Sequence, residues 1–299
     1  MSRVLITGAN GFAGPYVAAA LAERGHQIVG VSHAAVNIAG GPVERWLVAD
    51  LADPVQAREA VEMARPDMVV HLAAISFVAH ADVTAIYSSN IIGTRNLLDA
   101  IASSGGVSGP TIIASSANVY GSNVGGALHE GLSLHPQSDY ALSKVACEYL
   151  AEMYAGKVRS IVVRPFNYTG VGQAQNFLIP KIVDHVKRRA ATIELGNIEV
   201  ARDFSDVRFF AEAVARLLAV EVRSAEKVNI CSGVAYSLKA VLEAAALISN
   251  HRMNVTINPA FVRSNEVEKL WGDPAKLQSL IGPLVSPPLE ETLRWMIED

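Results

Sequence analysis

Cysteine is scarce in this sequence of 299 residues, and so are the residue patterns that hold metals. The two cysteines, Cys147 and Cys231, form no CxxC pair and have no histidine cluster nearby. They are therefore expected to be two buried, reduced thiols of a cytoplasmic protein rather than a disulfide. His80, His129 and His135 fall in loop-like segments without metal-ligand spacing, so no metal site is predicted.

Charge of either sign is also sparse, since charged residues make up 18% of the chain and hydrophobic residues 51%. This composition predicts a compact, soluble protein and excludes a disordered chain. The formal net charge of −4 gives no electrostatic reason to expect nucleic acid or an anionic membrane as a partner. No apolar run is long enough to span a bilayer, and the chain reaches a glycine motif at once instead of beginning like a signal peptide.

What the sequence does contain is an alternation of short apolar segments with longer helical patterns. The apolar segments lie at residues 4–7, 28–31, 46–50, 68–73, 111–116 and 160–165. The helical patterns fall near residues 12–24, 54–64, 83–104 and 138–155. Nearly continuous apolar strands separated by helices predict an α/β fold, a Rossmann-type doubly wound parallel sheet whose ligands bind at the carboxyl ends of the strands.

The predicted domain boundaries follow from a change of rhythm near residue 165, after which loops and prolines become more frequent. Residues 1–165, joined by part of about 204–232, are predicted to form a dinucleotide-binding domain. The segments at about 166–203 and 233–299 are predicted to form a smaller, interleaved domain that binds the substrate.

A glycine-rich turn, TGANGFAG at residues 7–14, follows the first strand and precedes a helix. Gly8 permits a tight turn, Gly11 lets backbone amides approach a pyrophosphate, and Gly14 permits close packing of the helix on the strand. The start of the helix offers free N–H groups and a partial positive charge to the phosphates. The turn therefore predicts a dinucleotide site. Its other predicted cofactor-binding residues are Asn10, Phe12 and Ala13.

The end of the second strand bears on the choice of dinucleotide. An acidic residue there would bind the 2′-hydroxyl of the adenosine ribose and favour NAD, but the chain has Ser32 and His33. Nothing therefore repels a 2′-phosphate, and Ser32 could donate a hydrogen bond to it. NADP(H) is the favoured cofactor, with NAD(H) as the alternative because no arginine stands beside Ser32. Asp50, after the third strand, is interpreted as facing the adenine ring, with a helix N-cap as the alternative.

Tyr140 and Lys144 lie one helical turn apart in the segment SDYALSKVACEYL, residues 138–150. An apolar stripe runs along this helix, and the two residues lie almost opposite its centre. The stripe consists of Leu142, Val145, Ala146, Tyr149, Leu150 and Met153. The strand at 111–116 brings Ser115 and Ser116 to the carboxyl edge of the sheet, where the ligand is expected.

A phenol, an ammonium and a hydroxyl together suit a hydride-transfer site. The pKa of a free tyrosine is near 10, and an adjacent ammonium and a cationic nicotinamide are expected to lower it. Serine can hold the substrate oxygen while tyrosine exchanges the proton, and lysine can anchor the nicotinamide ribose.

Five motifs, in this order, resemble the extended short-chain dehydrogenase/reductase family of the NAD-dependent epimerase/dehydratase type. They are TGANGFAG (7–14), HLAA (71–74), SSANVYG (115–121), YALSK (140–144) and RPFN (164–167). The resemblance implies a catalytic triad of Ser116, Tyr140 and Lys144, of which Tyr140 and Lys144 also bind the cofactor. It implies further cofactor-cleft residues, namely Leu51, Leu72, Ala73, Ala74, Asn90 and Pro165.

The C-terminal half resembles members of the family that act on nucleotide-linked sugars, above all GDP-sugars. The resemblance implies that Asn167 contacts the phosphates of the sugar nucleotide and that Lys181 reaches the nucleotide. Arg202 and Arg263 would grip the pyrophosphate, because a guanidinium fork matches phosphate oxygens. The other implied substrate-binding residues are Ser76, Ser116, Asn118 and Asn197. The expected reaction is NAD(P)H-dependent reduction of the C4 ketone of a nucleotide-linked 6-deoxy-4-keto sugar.

Two positions depart from the family pattern. Phe209 and Phe210 stand where members commonly have an acidic residue, so the local loop is expected to differ. Asn118 stands where sugar 4,6-dehydratases carry a carboxylate. Since an amide cannot serve as the base that abstracts a proton, dehydration is disfavoured.

Other functions stay open on the sequence alone. A sugar-nucleotide 4-epimerase with tightly bound NAD uses the same triad, and a talose-forming GDP-sugar 4-dehydrogenase differs only in the face of C4 that receives hydride. A non-catalytic dinucleotide sensor is the remote alternative, since Tyr140 and Lys144 are both present. His71 is interpreted as a hydrogen-bonded core residue. The resemblance also implies a homodimer formed by the helices at 83–104 and 138–155, although their apolar residues could equally be internal core.

Overall fold

The computed structural model of the chain describes residues 2–36, 40–76, 82–121, 126–221, 225–261 and 268–299. The strands in these ranges are β1 (Arg3–Thr7), β2 (Gln27–Ser32), β3 (Arg45–Val48), β4 (Met68–His71), β5 (Thr111–Ala114), β6 (Ser160–Pro165), β7 (Asn167–Thr169), β8 (Thr192–Leu195), β9 (Ala201–Asp206), β10 (Glu226–Ile230), β11 (Ala235–Ser237), β12 (Asn254–Ile257) and β13 (Lys269–Leu270). The helices are α1 (Gly14–Ala22), α2 (Pro54–Ala64), α3 (Val83–Tyr87), α4 (Gly93–Ser104), α5 (Asp139–Met153), α6 (Leu178–Lys187), α7 (Val207–Leu217), α8 (Leu238–Ser249), α9 (Ala275–Ile281) and α10 (Leu289–Glu298).

Seven strands form one fully parallel sheet in the order β10-β6-β5-β4-β1-β2-β3. Both faces of the sheet are covered, which explains why its strands are apolar at nearly every position. Val4 and Ile6 pack into the core on the side of α1 and α7, whereas Leu5 packs into the core on the side of α2 and α4. The predicted Rossmann-type α/β fold is confirmed.

The remaining strands form two smaller sheets beside the large one. In one, β9 lies between β11 and β13 and also pairs with β7, and in the other β8 pairs with β12. Helices α6, α8 and α10 pack together over a separate apolar core that includes Ile182, Phe204 and Leu293. Because β10 returns to the large sheet after β9, the chain passes between the two groups of elements more than once. The two domains and their boundaries stay a prediction.

The connectivity fixes where a ligand can bind. From β1 the chain proceeds outward through β2 and β3, and then returns to β4 on the other side of β1. Such a reversal opens a crevice at the carboxyl ends of β1 and β4. The predicted glycine turn follows β1, and the SSANVYG motif follows β5. Within the described part of the chain, no helix is both long enough and apolar enough to cross a membrane.

Candidate active site

The glycine turn is shaped for close approach of a ligand. Gly8 has a φ of +69°, and a Cβ added there would lie 2.7 Å from the backbone nitrogen of Ala73. A Cβ at Gly14 would lie 2.3 Å from the carbonyl oxygen of Ala9, so the crossing of helix and turn requires glycine at this position. Gly11 and Asn10 are exposed on the outer side of the turn.

The helix that follows the turn offers backbone donors. Helix α1 has Ala13 as its N-cap, and none of the described side chains hydrogen-bonds to the amides of its first turn, in which Pro15 lacks an N–H and the Gly14 amide donates to the Gly11 carbonyl at 3.2 Å. Uncapped amides at the positive end of a helix attract phosphate. Together with the exposed outer side of the glycine turn, this end of α1 fits the pyrophosphate of a dinucleotide.

The loop after β4 is held against the turn from the opposite side. The amide of Leu72 donates to the Thr7 carbonyl at 3.1 Å. Asn90 clamps the same loop further along, since its Oδ1 accepts from the Ile75 amide at 2.8 Å and its Nδ2 donates to the Ile75 carbonyl at 3.1 Å. Asn90 lies in a π-helical turn, Ser88–Ile92, that joins α3 to α4. Asn90 thus supports the edge of the cleft that carries Leu72, Ala73 and Ala74.

The residues predicted for the adenosine end lie at the carboxyl ends of β2 and β3. Ser32 is buried and its hydroxyl accepts from the Ala34 amide at 3.3 Å, while His33 beside it is exposed. Asp50 is exposed, and its Oδ1 accepts from the Ala52 amide at 2.9 Å. The alternative of Asp50 as a helix N-cap is wrong, because Asp53 caps α2.

Two consecutive serines after β5 point in opposite directions. The Ser115 hydroxyl is buried and donates to Glu148 Oε1 at 2.6 Å. The Ser116 hydroxyl accepts from the Asn118 amide at 3.2 Å, and it lies close enough to the phenol of Tyr140 to lower the pKa of that phenol. Only Ser116 therefore faces Tyr140, as the predicted triad requires.

Tyr140 lies in the first turn of α5, which begins at its N-cap Ser138. Its side chain is only 7% exposed. Burial raises the pKa of Tyr140 to about 12, against the lowering effect of the nearby Ser116 hydroxyl. In the chain by itself, desolvation of the phenolate outweighs the nearby donors, and a lowering of the Tyr140 pKa by a bound cationic nicotinamide stays a prediction.

Lys144 is also buried, with 4% of its surface exposed. Its ammonium lies 5.9 Å from the centre of the Tyr140 ring and donates to the Ala114 carbonyl at 2.8 Å. Burial lowers the pKa of Lys144. An ammonium fixed by one carbonyl keeps two further donors, which suit the hydroxyls of a ribose.

The face of α5 that carries Tyr140 and Lys144 turns toward the protein interior. Leu142, Tyr149 and Met153 of the apolar stripe are instead exposed, by 47%, 60% and 75%. The expectation that these residues could be internal core is wrong for all three. Helical periodicity separates two faces, but it does not indicate which one meets the protein, and in α5 the core-facing side includes the two polar residues.

A buried ion pair behind the triad escaped the sequence analysis. Arg164, on β6, donates to Glu148 from Nε at 2.9 Å and from Nη2 at 2.6 Å, and both side chains are 2% exposed. Arg164 Nη1 also donates to the Tyr120 hydroxyl at 2.9 Å. One helical turn separates Glu148 from Lys144, which was the available sequence signal. The pair joins the strand that ends in Pro165 to the helix that carries Tyr140.

The predicted substrate residues lie around β7 and β9. Asn167 is exposed and its amide donates to the Asp203 carbonyl at 3.1 Å, while Arg202, on β9, donates to the Ala201 carbonyl at 2.8 Å. Asn197 Oδ1 accepts from the Glu199 amide at 2.9 Å. Ser76 and Asn118 are both exposed.

Lys181 and Arg263 are the other two basic residues predicted to bind the substrate. Lys181 donates to the Glu194 carbonyl at 2.7 Å and lies over the Phe261 ring at 4.6 Å, so its ammonium already has partners in the protein. Arg263 lies outside the described residues. The substrate roles of both residues stay predictions.

Asp203 is a second functional candidate that the sequence analysis missed. Its fully buried carboxylate accepts from the Ser232 amide and hydroxyl, at 2.9 and 2.6 Å, and from the amides of Gly233 and Gly272, at 2.9 and 3.3 Å. Burial raises the pKa of Asp203, against these four hydrogen bonds. The carboxylate fixes β9 to two distant loops, and so it fixes the strand that carries Arg202.

Phe209 and Phe210 lie in a helix, so the expectation of an altered loop at these two positions is wrong. Both residues are buried in the first turn of α7. The ring of Phe210 stacks on the ring of Tyr168, 4.5 Å away and inclined by 11°. An acidic side chain could not make this stacking contact. At this position the chain therefore has an aromatic contact in place of the polar side chain that is common in the family.

His71 and the two cysteines lie in the interior, as predicted. His71 is buried between the hydroxyls of Thr7 and Thr94, at 2.7 and 2.9 Å. Cys147 and Cys231 are buried free thiols. No group of three or more metal-ligating side chains occurs among the described residues, which do not include His80.

The chain is similar in sequence and in fold to enzymes that act on nucleotide-linked sugars. The family model described as GDP-mannose 4,6 dehydratase matches residues 5–296. The chain is 34% identical to the GDP-6-deoxy-D-talose 4-dehydrogenase of Aggregatibacter actinomycetemcomitans, over 94% of this chain and 91% of that one. It is 32% identical to the GDP-6-deoxy-D-mannose reductase of Pseudomonas aeruginosa, over 99% of this chain and 96% of that one. The structure of RMD from Pseudomonas aeruginosa complexed with NADPH superposes with a TM-score of 0.84 at 30% identity, covering 100% of this chain and 98% of that one.

Proposed function

The chain belongs to the GDP-mannose 4,6-dehydratase family of extended short-chain dehydrogenases/reductases, and on that premise we propose that it is an NAD(P)H-dependent reductase of a nucleotide-linked 4-keto sugar. The proposed substrate is GDP-4-keto-6-deoxy-D-mannose and the proposed product is GDP-D-rhamnose. The observation that carries the proposal is the grouping of three buried side chains, Ser116, Tyr140 and Lys144, with the Lys144 ammonium 5.9 Å from the centre of the Tyr140 ring.

The proposed chemistry assigns one role to each residue of the triad. A bound NAD(P)H supplies the hydride that adds to C4 of the sugar. Tyr140 donates its phenol proton to the oxygen that becomes the C4 hydroxyl. Burial, which raises the pKa of Tyr140, favours the protonated phenol, the form that a proton donor must have. Ser116 donates its O–H to the same oxygen, and Lys144 holds the nicotinamide ribose.

A GDP-sugar is supported by both named relatives, each of which is described as acting on a GDP-linked 6-deoxy sugar. In this chain Asn167 and Arg202 are proposed to hold the diphosphate, with Asp203 as the residue that positions their strands. Ser76, Lys181, Asn197 and Arg263 are proposed to complete the substrate site. Asn118 is proposed to contact the sugar without acting as a base, since its amide cannot abstract a proton.

A talose-forming 4-dehydrogenase is the second candidate, and the 34% identity to such an enzyme favours it. The two activities differ in the face of C4 that receives hydride, and they share the triad. A 4-epimerase is a third candidate, and it would retain a tightly bound NAD through purification. A non-catalytic sensor has no support from the site, because all three triad residues are present and grouped.

NADP(H) is proposed as the cofactor in preference to NAD(H). The carboxyl end of β2 carries Ser32 and His33 instead of a carboxylate, so no fixed negative charge opposes a 2′-phosphate. The superposed structure of RMD contains NADPH, which supports the same choice. Asp50 and Leu51 are proposed to border the adenine.

The protein is further proposed to be a cytoplasmic homodimer with two domains. The exposed apolar side chains of α5, with Ile92 beside them on the neighbouring helix, favour a second copy as their partner. The proposed dinucleotide domain consists of residues 1–165 and part of about 204–232, with the sugar-nucleotide domain formed by the rest.

Two experiments test the proposal. Tyr140→Phe is expected to abolish turnover and to leave dinucleotide binding intact. A variant that turned over within a few-fold of the wild type would refute the assignment of the proton donor. A panel of GDP-, UDP- and dTDP-linked 4-keto sugars, each with NADPH and NADH, is expected to select a GDP-sugar with NADPH. The configuration at C4 of the product then separates the rhamno product from the talo product.

A further inference from the structure

Tyr168 lies at the centre of an aromatic stack that links the glycine turn to the smaller sheets. Its ring is nearly parallel to that of Phe12, at 5.8 Å and 12°, and to that of Phe210, at 4.5 Å and 11°. Phe12 belongs to the glycine turn itself, whereas Phe210 lies in α7. The Tyr168 ring is therefore fixed against the residues that are proposed to receive the pyrophosphate.

A second contact fastens the same segment to α1. The Tyr16 hydroxyl donates to the Val171 carbonyl at 2.8 Å. Phe12 and Tyr16 also make an edge-to-face contact, with their ring centres 6.1 Å apart. The chain from Tyr168 to Val171 is thus held to both the turn and the helix, so Tyr168 has little freedom to leave its position.

The hydroxyl of Tyr168, by contrast, has no use within the protein. It makes no hydrogen bond to any of the described residues. It is also not one of the buried polar atoms without a partner, so solvent or a ligand can reach it. Burial, followed by the charge of Tyr140, raises the pKa of Tyr168, so the two phenols lie within electrostatic range of one another. A phenol hydroxyl that has no partner in the protein and lies near a proposed proton donor is suited to bind a ligand.

We propose that Tyr168 is a cofactor-binding residue, whose ring forms one wall of the nicotinamide pocket and whose hydroxyl donates a hydrogen bond to the nicotinamide riboside half of the dinucleotide. This inference rests on the proposed function, since it requires that a nicotinamide dinucleotide binds between the glycine turn and Tyr140.

The direction of the side chain favours the dinucleotide over the sugar. Successive residues of a strand point to opposite faces, and Asn167 before Tyr168 turns toward Asp203 and the smaller sheet. Tyr168 points the other way, onto Phe12. Tyr168 thus stacks on the glycine turn and lies within electrostatic range of Tyr140. The nicotinamide end must lie between these two places if the pyrophosphate is at the turn and hydride transfer is at Tyr140.

The test compares two ligands on one variant. Tyr168→Phe keeps the stacked ring and removes only the hydroxyl. Its affinity for NADPH is expected to fall about three- to tenfold, as for loss of one neutral hydrogen bond. Its affinity for 2′-phospho-ADP-ribose, which has no nicotinamide, is expected to change by less than about twofold, which is within the error of the measurement. Both are measured by calorimetry on the full chain. Tyr149→Phe, which removes a hydroxyl from an exposed tyrosine of α5, is the matched control and should change neither affinity.

Each other outcome overturns the inference. Unchanged NADPH affinity would mean that the hydroxyl binds nothing on the cofactor. Equal weakening of both ligands would place its effect at the phosphates. An increase in KM for the keto-sugar alone would assign it to the substrate. If the wild-type protein bound neither NADPH nor NADH, the proposed function itself would fail, and that result is distinct from the three others.

Discussion

The carboxylate of Glu148 and the guanidinium of Arg164 form a two-point ion pair, 2.9 and 2.6 Å long, that is closed off from solvent. The attraction between two charges in a buried site is offset by the cost of removing both from water. The energetic consequence is asymmetric. Removing one partner leaves an uncompensated charge, whereas removing both leaves none.

We expect Glu148→Leu and Arg164→Met each to lower the free energy of unfolding by about 3–5 kcal/mol. The double variant should lose less than the sum of the two single losses, by about 2 kcal/mol or more, because neither charge remains. Urea denaturation of the four proteins measures this coupling. Losses that simply add would show that the two charges do not compensate one another.

The two serines after β5 should differ in what they contribute. Ser116→Ala removes a donor to the substrate oxygen and is expected to lower kcat about 100-fold, with dinucleotide binding retained. Ser115→Ala removes a bond to buried Glu148 and is expected to cost about 1–3 kcal/mol of stability, with kcat changed only a few-fold. Steady-state kinetics of both variants measure kcat, and denaturation measures their free energies of unfolding. If Ser115→Ala had the larger effect on kcat, the assignment of the catalytic serine would be reversed.

The central sheet could be predicted from the sequence because its physical signal is local. A parallel strand buried on both faces must be apolar at nearly every position, and such runs stand out at 4–7, 68–73 and 160–165. The glycine turn and the spacing of Tyr140 and Lys144 are equally local. These features fixed the carboxyl edge of the sheet as the place of the site.

The features that escaped prediction depend on residues far apart in the chain. Glu148 and Arg164 come from a helix and a strand, and Asp203 meets Gly272 from a distant loop. The family resemblance selected Ser116, but residue patterns alone do not separate it from Ser115, because the difference depends on contact with Glu148. For the same reason the apolar stripe of α5 was left open between a second subunit and the core, since periodicity does not encode what packs against a helix.

The exposed side chains of α5 lead to a prediction about assembly. Met153, the most exposed of them, is expected to lie in the contact between two copies. Met153→Glu should convert the dimer to a monomer in sedimentation analysis, because a charge would be buried unpaired in the contact. Met63→Glu introduces the same charge at another exposed methionine, on α2, and should leave the mass unchanged. A wild-type protein that sediments as a monomer would contradict the prediction.

His71 occupies a closed chain of hydrogen bonds beneath the cofactor cleft. The Thr94 hydroxyl donates to the Asn90 carbonyl at 2.5 Å, so its oxygen accepts from Nε2–H of His71. Nδ1 of His71 then accepts from the Thr7 hydroxyl. This arrangement uses the neutral ring fully, and a second ring proton could be accepted only if the Thr7 hydroxyl rotated its own proton away from Nδ1. Burial, followed by the charge of Lys144, lowers the pKa of His71 to about 3.

The folded protein should therefore lose stability as the pH falls below the pKa of an unfolded histidine, about 6.5. Below that value the unfolded chain takes up a proton that the folded chain refuses until about pH 3, so protonation favours unfolding. Between pH 7 and pH 5 this one group should lower the free energy of unfolding by about 2 kcal/mol. Other groups also titrate in that range, so the measurement is the difference between the wild type and His71→Asn, which retains a side-chain acceptor for Thr7. The wild type should lose about 2 kcal/mol more than the variant over this interval. Equal losses in urea denaturation at the two pH values would mean that His71 accepts its proton in the folded state.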